Sequence, residues 1–308
     1  MKSILKIKNY NNQLFSSTFK TTTKKTNFVL INILNRLMLI SVLVLSTNIH
    51  SEQTTQTEER RPPISFPDPD PSIYETDKLL QQTPWSFLQN YQAKYAVRSE
   101  GDTLGHATRK LNFKDQQWTL STSAKISKFF LSVKTNETTS FHIKDDLLIN
   151  DHFYSRTKIS LKKARVMEQT FDWDKKVEIG KRGKKSWELP LEKQVFDRIS
   201  NVIQLRADLL AGKTVFNYDV SYKGKAYVYS YTLVKKETLK TKMGEISTMK
   251  FLREKSNGDQ VVLWLAPEFN YIPFKIAQYE KDEADATLVL ESLEYLSDKP
   301  TTERSQGQ

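Results

Sequence analysis

Residues 246–296, ISTMKFLREKSNGDQVVLWLAPEFNYIPFKIAQYEKDEADATLVLESLEYL, constrain the fold more tightly than any other stretch of the chain. Runs of four to eight residues rich in Val, Ile, Phe, Tyr and Trp are cut by turn residues, first Ser256-Asn257-Gly258 and then the charged segment 280–285. In the last run Thr287, Val289, Glu291, Leu293 and Tyr295 alternate against Leu288, Leu290, Ser292 and Glu294, the period of two that a strand imposes on its side chains. The stretch therefore reads as a β-meander. Leucines stand on both faces of the final run, which calls for a curved sheet with a filled concave side and a partly covered convex side.

The same grammar extends upstream. Tyr91, Ala93, Tyr95 and Val97 alternate with polar partners up to Glu100-Gly101-Asp102, and residues 105–113 run back toward Asp115-Gln116. Further strands are predicted over 118–125, 129–134 and 139–144, the last stopping at Asp145-Asp146. Residues 165–173 and 176–179 form a pair across Asp174-Lys175, and 215–221 and 226–236 a hairpin across Lys223-Gly224. Short strands at this spacing predict a mainly β fold, an antiparallel, strongly curved sheet or incomplete β-barrel of about ten to fourteen strands. One segment departs from the pattern. Between residues 190 and 212, Val195, Phe196, Ile199, Val202, Ile203 and Leu210 recur mostly at helical spacing and Ala211-Gly212 supplies a stop, which predicts the one main helix.

Composition locates the rest. The formal charge of +11 suggests a nucleic-acid binder until the charges are placed. Residues 1–51 hold seven of the 47 basic groups and no acid, leaving 40 basic against 36 acidic groups, an ordinary soluble surface that argues against nucleic acid. A basic region leading into the apolar run 37–45 reads as a signal peptide over 1–51, hence a periplasmic protein, with an uncleaved inner-membrane anchor as the alternative. Residues 52–73 place five of the ten prolines within ten positions and form a spacer. One helical turn is expected near 77–82, a single β domain over 74–298, and a polar tail over 299–308. With no cysteine there is no disulfide framework, thiolate metal site or cysteine lipidation.

A set of short motifs occurs in order along this region: Tyr91-x-x-x-Tyr95, Phe171-Asp172-Trp173, Asp197 followed by Gln204-Leu205-Arg206, Gly244 before a strand, Trp264-Leu265-Ala266-Pro267 and Tyr271-Ile272-Pro273. The set resembles the bacterial exported proteins of domain of unknown function 3108, over roughly residues 90–295. The resemblance implies an exported, mostly β protein of the Gram-negative envelope, and it implies no established activity or catalytic residues. The long basic region before the apolar run departs from that pattern.

Candidate sites are few. His106, His142 and His152 lack metal-ligand spacing and a cysteine partner, so neither a metal nor a cofactor is expected. Asp172 and Asp174 flank Trp173, which on a strand places both carboxylates on one face, but Asp174 precedes Lys175-Lys176 and reads as a turn cap. No nucleophile elbow or phosphate loop is present, and the chain is expected not to be an enzyme; a hydrolase would need a Ser/His or carboxylate cluster that is not legible here. Lys181, Arg182, Lys184 and Lys185 form the densest basic cluster after the leader, either a hairpin tip that blunts a sheet edge or a contact for anionic lipid. Arg206, at the border of the helical apolar stripe, needs a carboxylate or carbonyl partner, or else meets a ligand head group. Trp264 and Tyr271 bracket a turn and are either core residues or the lining of a ligand mouth. The expected function is noncatalytic binding of a lipid-like ligand or acyl chain in the concavity, with a protein-interaction or scaffold role in the envelope as the alternative.

Overall fold

The computed structural model describes residues 84–99, 101–128, 130–255, 260–280 and 283–296. The leader, the spacer, the helical turn near 77–82, the Ser256-Asn257-Gly258 turn and the polar tail lie outside the described residues.

Among the described residues the chain forms one α-helix and fourteen strands in a single antiparallel sheet. The first eight strands are β1 (Tyr91–Ser99), β2 (Asp102–Lys114), β3 (Gln117–Lys128), β4 (Leu131–Lys144), β5 (Leu147–Ile159), β6 (Arg165–Asp172), β7 (Val177–Arg182) and β8 (Lys185–Pro190). After helix α1 (Asn201–Leu210) come β9 (Phe216–Tyr222), β10 (Lys225–Thr241), β11 (Gly244–Lys255), β12 (Gln260–Ala266), β13 (Ile272–Glu280) and β14 (Glu283–Tyr295). Each strand pairs with its sequence neighbour except across the helix, and β14 returns to pair with β1, so that β8 and β9 are the two edges. The curved, unclosed sheet expected from the alternation is what forms.

Local chemistry sets the turns. Asp115-Gln116, Asp145-Asp146 and Lys223-Gly224 all have positive φ at both positions, the backbone of the two-residue hairpin loop whose twist matches its strands. Three boundaries differ from expectation. Residues 131–134 and 139–144 belong to one strand, β4, and two strands, β5 and β8, are additional to those expected. In β5 the inward positions Asn150, Ser155 and Thr157 are polar, and β8 carries only Trp187 and Leu189 as alternating apolar residues, too short a pattern to mark a strand. The helix, predicted between 190 and 212, begins only at Asn201. The Asp197 carboxylate accepts the amides of Ile199 at 2.8 Å and Ser200 at 3.0 Å, while the Phe196 backbone bonds β9 through Asp219 and Ser221. The apolar spacing before residue 200 thus records packing against a strand, not helix. The Gly212 stop holds, at φ 72°.

The sheet has two distinct faces. Leu233, Phe251, Leu263, Ile276, Leu288, Val97, Gly105, Ile126, Val133 and Ile159 stand opposite one another strand by strand and form an apolar row on the concave side. Behind it, Lys250, Trp264, Lys275, Val289, Ala96, His106, Lys125 and Lys134 form the corresponding outer row. Part of this outer face is covered by the chain itself. β10 and β11 run on together past the end of their pairing with β12, and Lys242 beside their turn reaches Glu291 on β14 at 2.5 Å. This brings Glu237 and Leu239 down onto Trp264, Val262, Leu252, Val234 and Ala277, a cluster buried outside the concavity. On β14 a bulge opposite Lys94 and Tyr95 shifts the register, so Leu293 joins Leu288 and Leu290 on the inner face and Val289 faces the covered convex side.

The two edges meet through side chains. The Trp187 indole of β8 lies against the backbone of Gly180 and Gly224, where an added Cβ would stand 2.1 and 2.8 Å from the ring. Its N–H donates to Glu178 at 2.8 Å. Only glycine leaves room for the indole at both places.

Candidate functional site

The inner face carries, beside its apolar row, a band of polar groups that strand alternation places inward. Arg109, Thr122, Glu137 and Ser155 stand opposite one another on β2, β3, β4 and β5. Tyr231, Arg253, Val261 and Gln278 form the facing series on β10 to β13. The strands supply the geometry: with a period of two and long continuous pairing, each of these side chains is fixed on the concave side by its apolar neighbours in register.

Segment 191–212 enters this concavity and is tied down by polar contacts. The second oxygen of Asp197 accepts from Thr139 on β4 and Asn150 on β5, so all the acceptor directions of this buried carboxylate are used by the chain. Burial pushes its pKa up, and the hydrogen bonds from Thr139, Ile199 and Ser200 pull it back. Arg198 donates to Glu137 at 2.9 Å, with Ser155 donating to the other oxygen at 3.1 Å. Glu137 is 1 % exposed, and burial pushes its carboxyl up to about 7 against the opposing pull of Arg198. For Arg198 burial acts downward, but Glu137 and the phenols of Tyr222 and Tyr229 more than offset it and the guanidinium stays charged. At the far end of the helix Asp208 accepts from Tyr218, Lys213 and Gln204, fastening it to β9.

Arg206, Trp264 and Tyr271 do not converge. Arg206 is 2 % exposed on the inner side of the helix, where its Nε donates to the Asn270 carbonyl at 2.8 Å and its guanidinium lies 4.3 Å from the Phe87 ring centroid. Its described partners are thus a carbonyl and aromatic faces, the carbonyl alternative of the two expected. Burial lowers its proton affinity, and its Nη1 is buried with no hydrogen-bond partner. The Asn270 contact brings it beside Tyr271, which is half-buried with φ 57°. Trp264 lies on the opposite face of the sheet, 2 % exposed, its indole N–H donating to Glu237 and its ring flanked by Lys250 and Lys275. It belongs to the outer core. Because Arg206 makes no ion pair with a carboxylate among the described residues, Arg206→Met should leave stability within about 1 kcal/mol of wild type, the lost carbonyl bond offset by removal of a buried charge. Urea titration checks this, and a loss above about 3 kcal/mol would indicate a carboxylate partner.

The other sequence candidates separate as well. β6 ends at Asp172, so Asp172 and Asp174 do not share a strand face, and Asp172, not Asp174, caps the turn by accepting Lys175 N at 2.9 Å. His142 pairs with Asp151 at 2.9 Å and His152 with Glu168 at 3.0 Å. The basic cluster sits at the turn between β7 and edge strand β8.

What sequence reasoning missed is the inward polar band itself. Arg109 Nε, Thr122 Oγ1, Thr135 Oγ1, Thr157 Oγ1, Arg253 Nε and Gln278 Oε1 are all buried and without a hydrogen-bond partner. Native proteins leave only a few such atoms, each costing about 1–3 kcal/mol, and here they share one surface. Several of the inward residues, Arg109, Thr122, Ala124, Arg253, Ile276 and Gln278, are nonetheless half-buried, so the concavity is reachable from solvent. Arg206 docks at the turn before β13 whereas Gln278 lies near the strand's other end, and the charge of Arg109 is felt at Arg206. The signal that would have found the band is a run of strands whose polar residues repeat with period two on both faces.

Two comparisons bear on the chain. The family model described as protein of unknown function DUF3108 matches residues 90–290. Among solved structures, a β-barrel-like protein of domain of unknown function DUF1849 from Brucella abortus is similar at 12 % identity and a TM-score of 0.48, over 68 % of this chain and 99 % of that one. Comparison with curated proteins returned no match.

Proposed function

The protein belongs to the DUF3108 family, and on that footing we propose that it binds, without catalysis, a hydrophobic or amphiphilic component of the cell envelope, such as a lipid or an acyl chain, in the concavity of its sheet. The observation that supports this reading is the clustering of partnerless buried polar atoms beside a continuous apolar row on one accessible inner face. An apolar wall with a few convergent polar groups is the usual construction of a small-molecule site. The noncatalytic part of the reading is supported by Glu137 and Asp197, whose carboxylate oxygens are taken up by Arg198, Ser155, Thr139 and Asn150 within the fold.

In this reading the protein works in the periplasm behind the leader of residues 1–51, and Lys181, Arg182, Lys184 and Lys185 give it a contact for anionic membrane surfaces. The test is to purify the protein from its own envelope, record its native mass, extract lipid, and titrate the delipidated protein with a fluorescent fatty-acid analogue. Saturable binding at micromolar concentration, or a copurifying lipid, is the expected result. If neither occurs, the binder reading fails and a scaffold role replaces it. The feature favouring that second reading is β8, which presents a strand edge at the end of the sheet to a partner strand.

A further inference from the structure

Three turns stand side by side at one end of the sheet. Lys128 pairs with Leu131 across the β3–β4 turn, Val133 with Ile159, Thr157 with Arg165, Met167 with Arg182, and Arg182 with Lys185 across the β7–β8 turn. These two turns and the β5–β6 turn therefore share one rim. Ser160 ties two of them together: its N–H donates to the Ser132 carbonyl at 2.9 Å, and its hydroxyl accepts the Ser132 N–H at 2.8 Å. Residues 127–134, 158–166 and 180–185 hold ten lysines and arginines and no acid. The turns at the opposite ends of β3, β4 and β5, Asp115-Gln116 and Asp145-Asp146, carry acids. The chain beyond residue 51 is close to balanced in sign, so the rim is a segregated basic patch. Two apolar side chains project from it. Leu161 is 93 % exposed and Phe130 67 %. Neither packing nor backbone preference accounts for Leu161. The Lys162 N–H bonds to the Ile159 carbonyl at 3.1 Å and closes a β-turn whose third residue, Leu161, has φ 63°, a place where glycine or asparagine is the unstrained choice. A bulky apolar side chain held there between lysines and presented to water suits a surface that takes up apolar groups beneath negative charge.

We propose that this rim docks on an anionic lipid bilayer, with Phe130 and Leu161 entering the interface and the lysines of the three turns meeting the head groups. The inference rests on the membrane contact given above to the β7–β8 hairpin and supplies that contact with its anchor. Attachment to a membrane surface grows with the apolar area buried in the interface and with attraction to anionic lipid, and the rim presents both. Docking through strand ends, and not through a sheet face, turns one end of the concavity toward the bilayer.

The test is flotation of the mature protein with vesicles of phosphatidylcholine alone and of phosphatidylcholine mixed with an equal part of phosphatidylglycerol. Binding to the mixed vesicles only, weakened by salt, is the expected result. Leu161→Asn should lower that affinity about tenfold, as loss of a buried leucine side chain does. Its unfolding by urea should stay unchanged or move to higher concentration, since asparagine suits the turn. Phe130→Ser should weaken vesicle binding likewise, and Lys162→Gln and Lys163→Gln should each do so about fivefold. Asp145→Asn, at the other end, should leave it unchanged. Binding that survives the Leu161 and Phe130 variants but falls with Lys184→Gln and Lys185→Gln overturns the apolar anchor and leaves the hairpin contact. Equal binding to both kinds of vesicle overturns the role of the basic rim. No binding to anionic vesicles overturns both the anchor and the hairpin contact, and a dimer that dissociates on Leu161→Asn then names a second copy of the chain as the occupant. A fluorescent fatty-acid analogue titrated into the same variants should bind as in wild type, so that failure at the bilayer is told apart from failure in the concavity.

Discussion

At pH 8, where the Glu137 carboxyl is ionised, Arg198→Met should destabilise the protein by about 3–5 kcal/mol, because it leaves that carboxylate buried and uncompensated. The double variant Arg198→Met, Glu137→Leu should regain most of that loss, since no unpaired charge then remains in the sheet interior. The pH dependence follows from the same residue. Burial holds the folded carboxyl at about 7, above its ordinary 4.5, so between these values the native state keeps a proton that the unfolded chain has released. The stability this group contributes is thus fully present below pH 4.5, declines as the pH rises, and is gone above about 7. The drop is on the order of 3 kcal/mol. Urea titrations of wild type and Glu137→Gln at a series of pH values isolate it as a difference between the two proteins. A difference that stays flat from pH 4.5 to 8 would overturn the raised carboxyl, and an undiminished Arg198→Met stability would remove the buried ion pair from the account.

Trp264→Ala should cost about 3–5 kcal/mol, as truncation of a buried aromatic does when its surroundings cannot close the cavity. The reason is specific to its place. The indole fills the space between the sheet and the end of the β10–β11 hairpin that folds over it, and it donates to Glu237 on that hairpin. Trp264→Phe keeps the packing and loses the hydrogen bond, and should cost roughly 1–2 kcal/mol. Hydrogen exchange should show faster opening of residues 235–250 in the alanine variant, with the inner face retained. Probe binding in the concavity should stay close to wild type, because Trp264 is on the other side of the sheet. A stability change below about 1 kcal/mol, or loss of probe affinity without loss of stability, would move Trp264 from the outer core to the ligand site.

The pattern of residues determined the class of fold and many of its turns. Asp115-Gln116, Asp145-Asp146 and Lys223-Gly224 mark hairpins because turn preference is local chemistry, carried by each dipeptide whatever surrounds it. Wherever the inward side chains are apolar, as in β1 and β14, alternation reveals the strand. In β5 the same geometry is invisible, since polar Asn150, Ser155 and Thr157 face inward, where Asn150 reaches Ser200 and Ser155 reaches Glu137. The residues that make the candidate site are thus the ones that erase the strand signal there. Tertiary structure alone decided the rest. It turned residues 191–200 from helix into a segment bonded to β9, because the Phe196 backbone found strand partners there and Asp197 capped the chain just before the helix. It set Arg206 against a carbonyl and Trp264 under a hairpin, on opposite faces of one sheet. Which face of a strand is inside, and what covers the other, depends on how a long sheet curls and where its hairpins return, and those are properties of pairing between distant residues that no local period records.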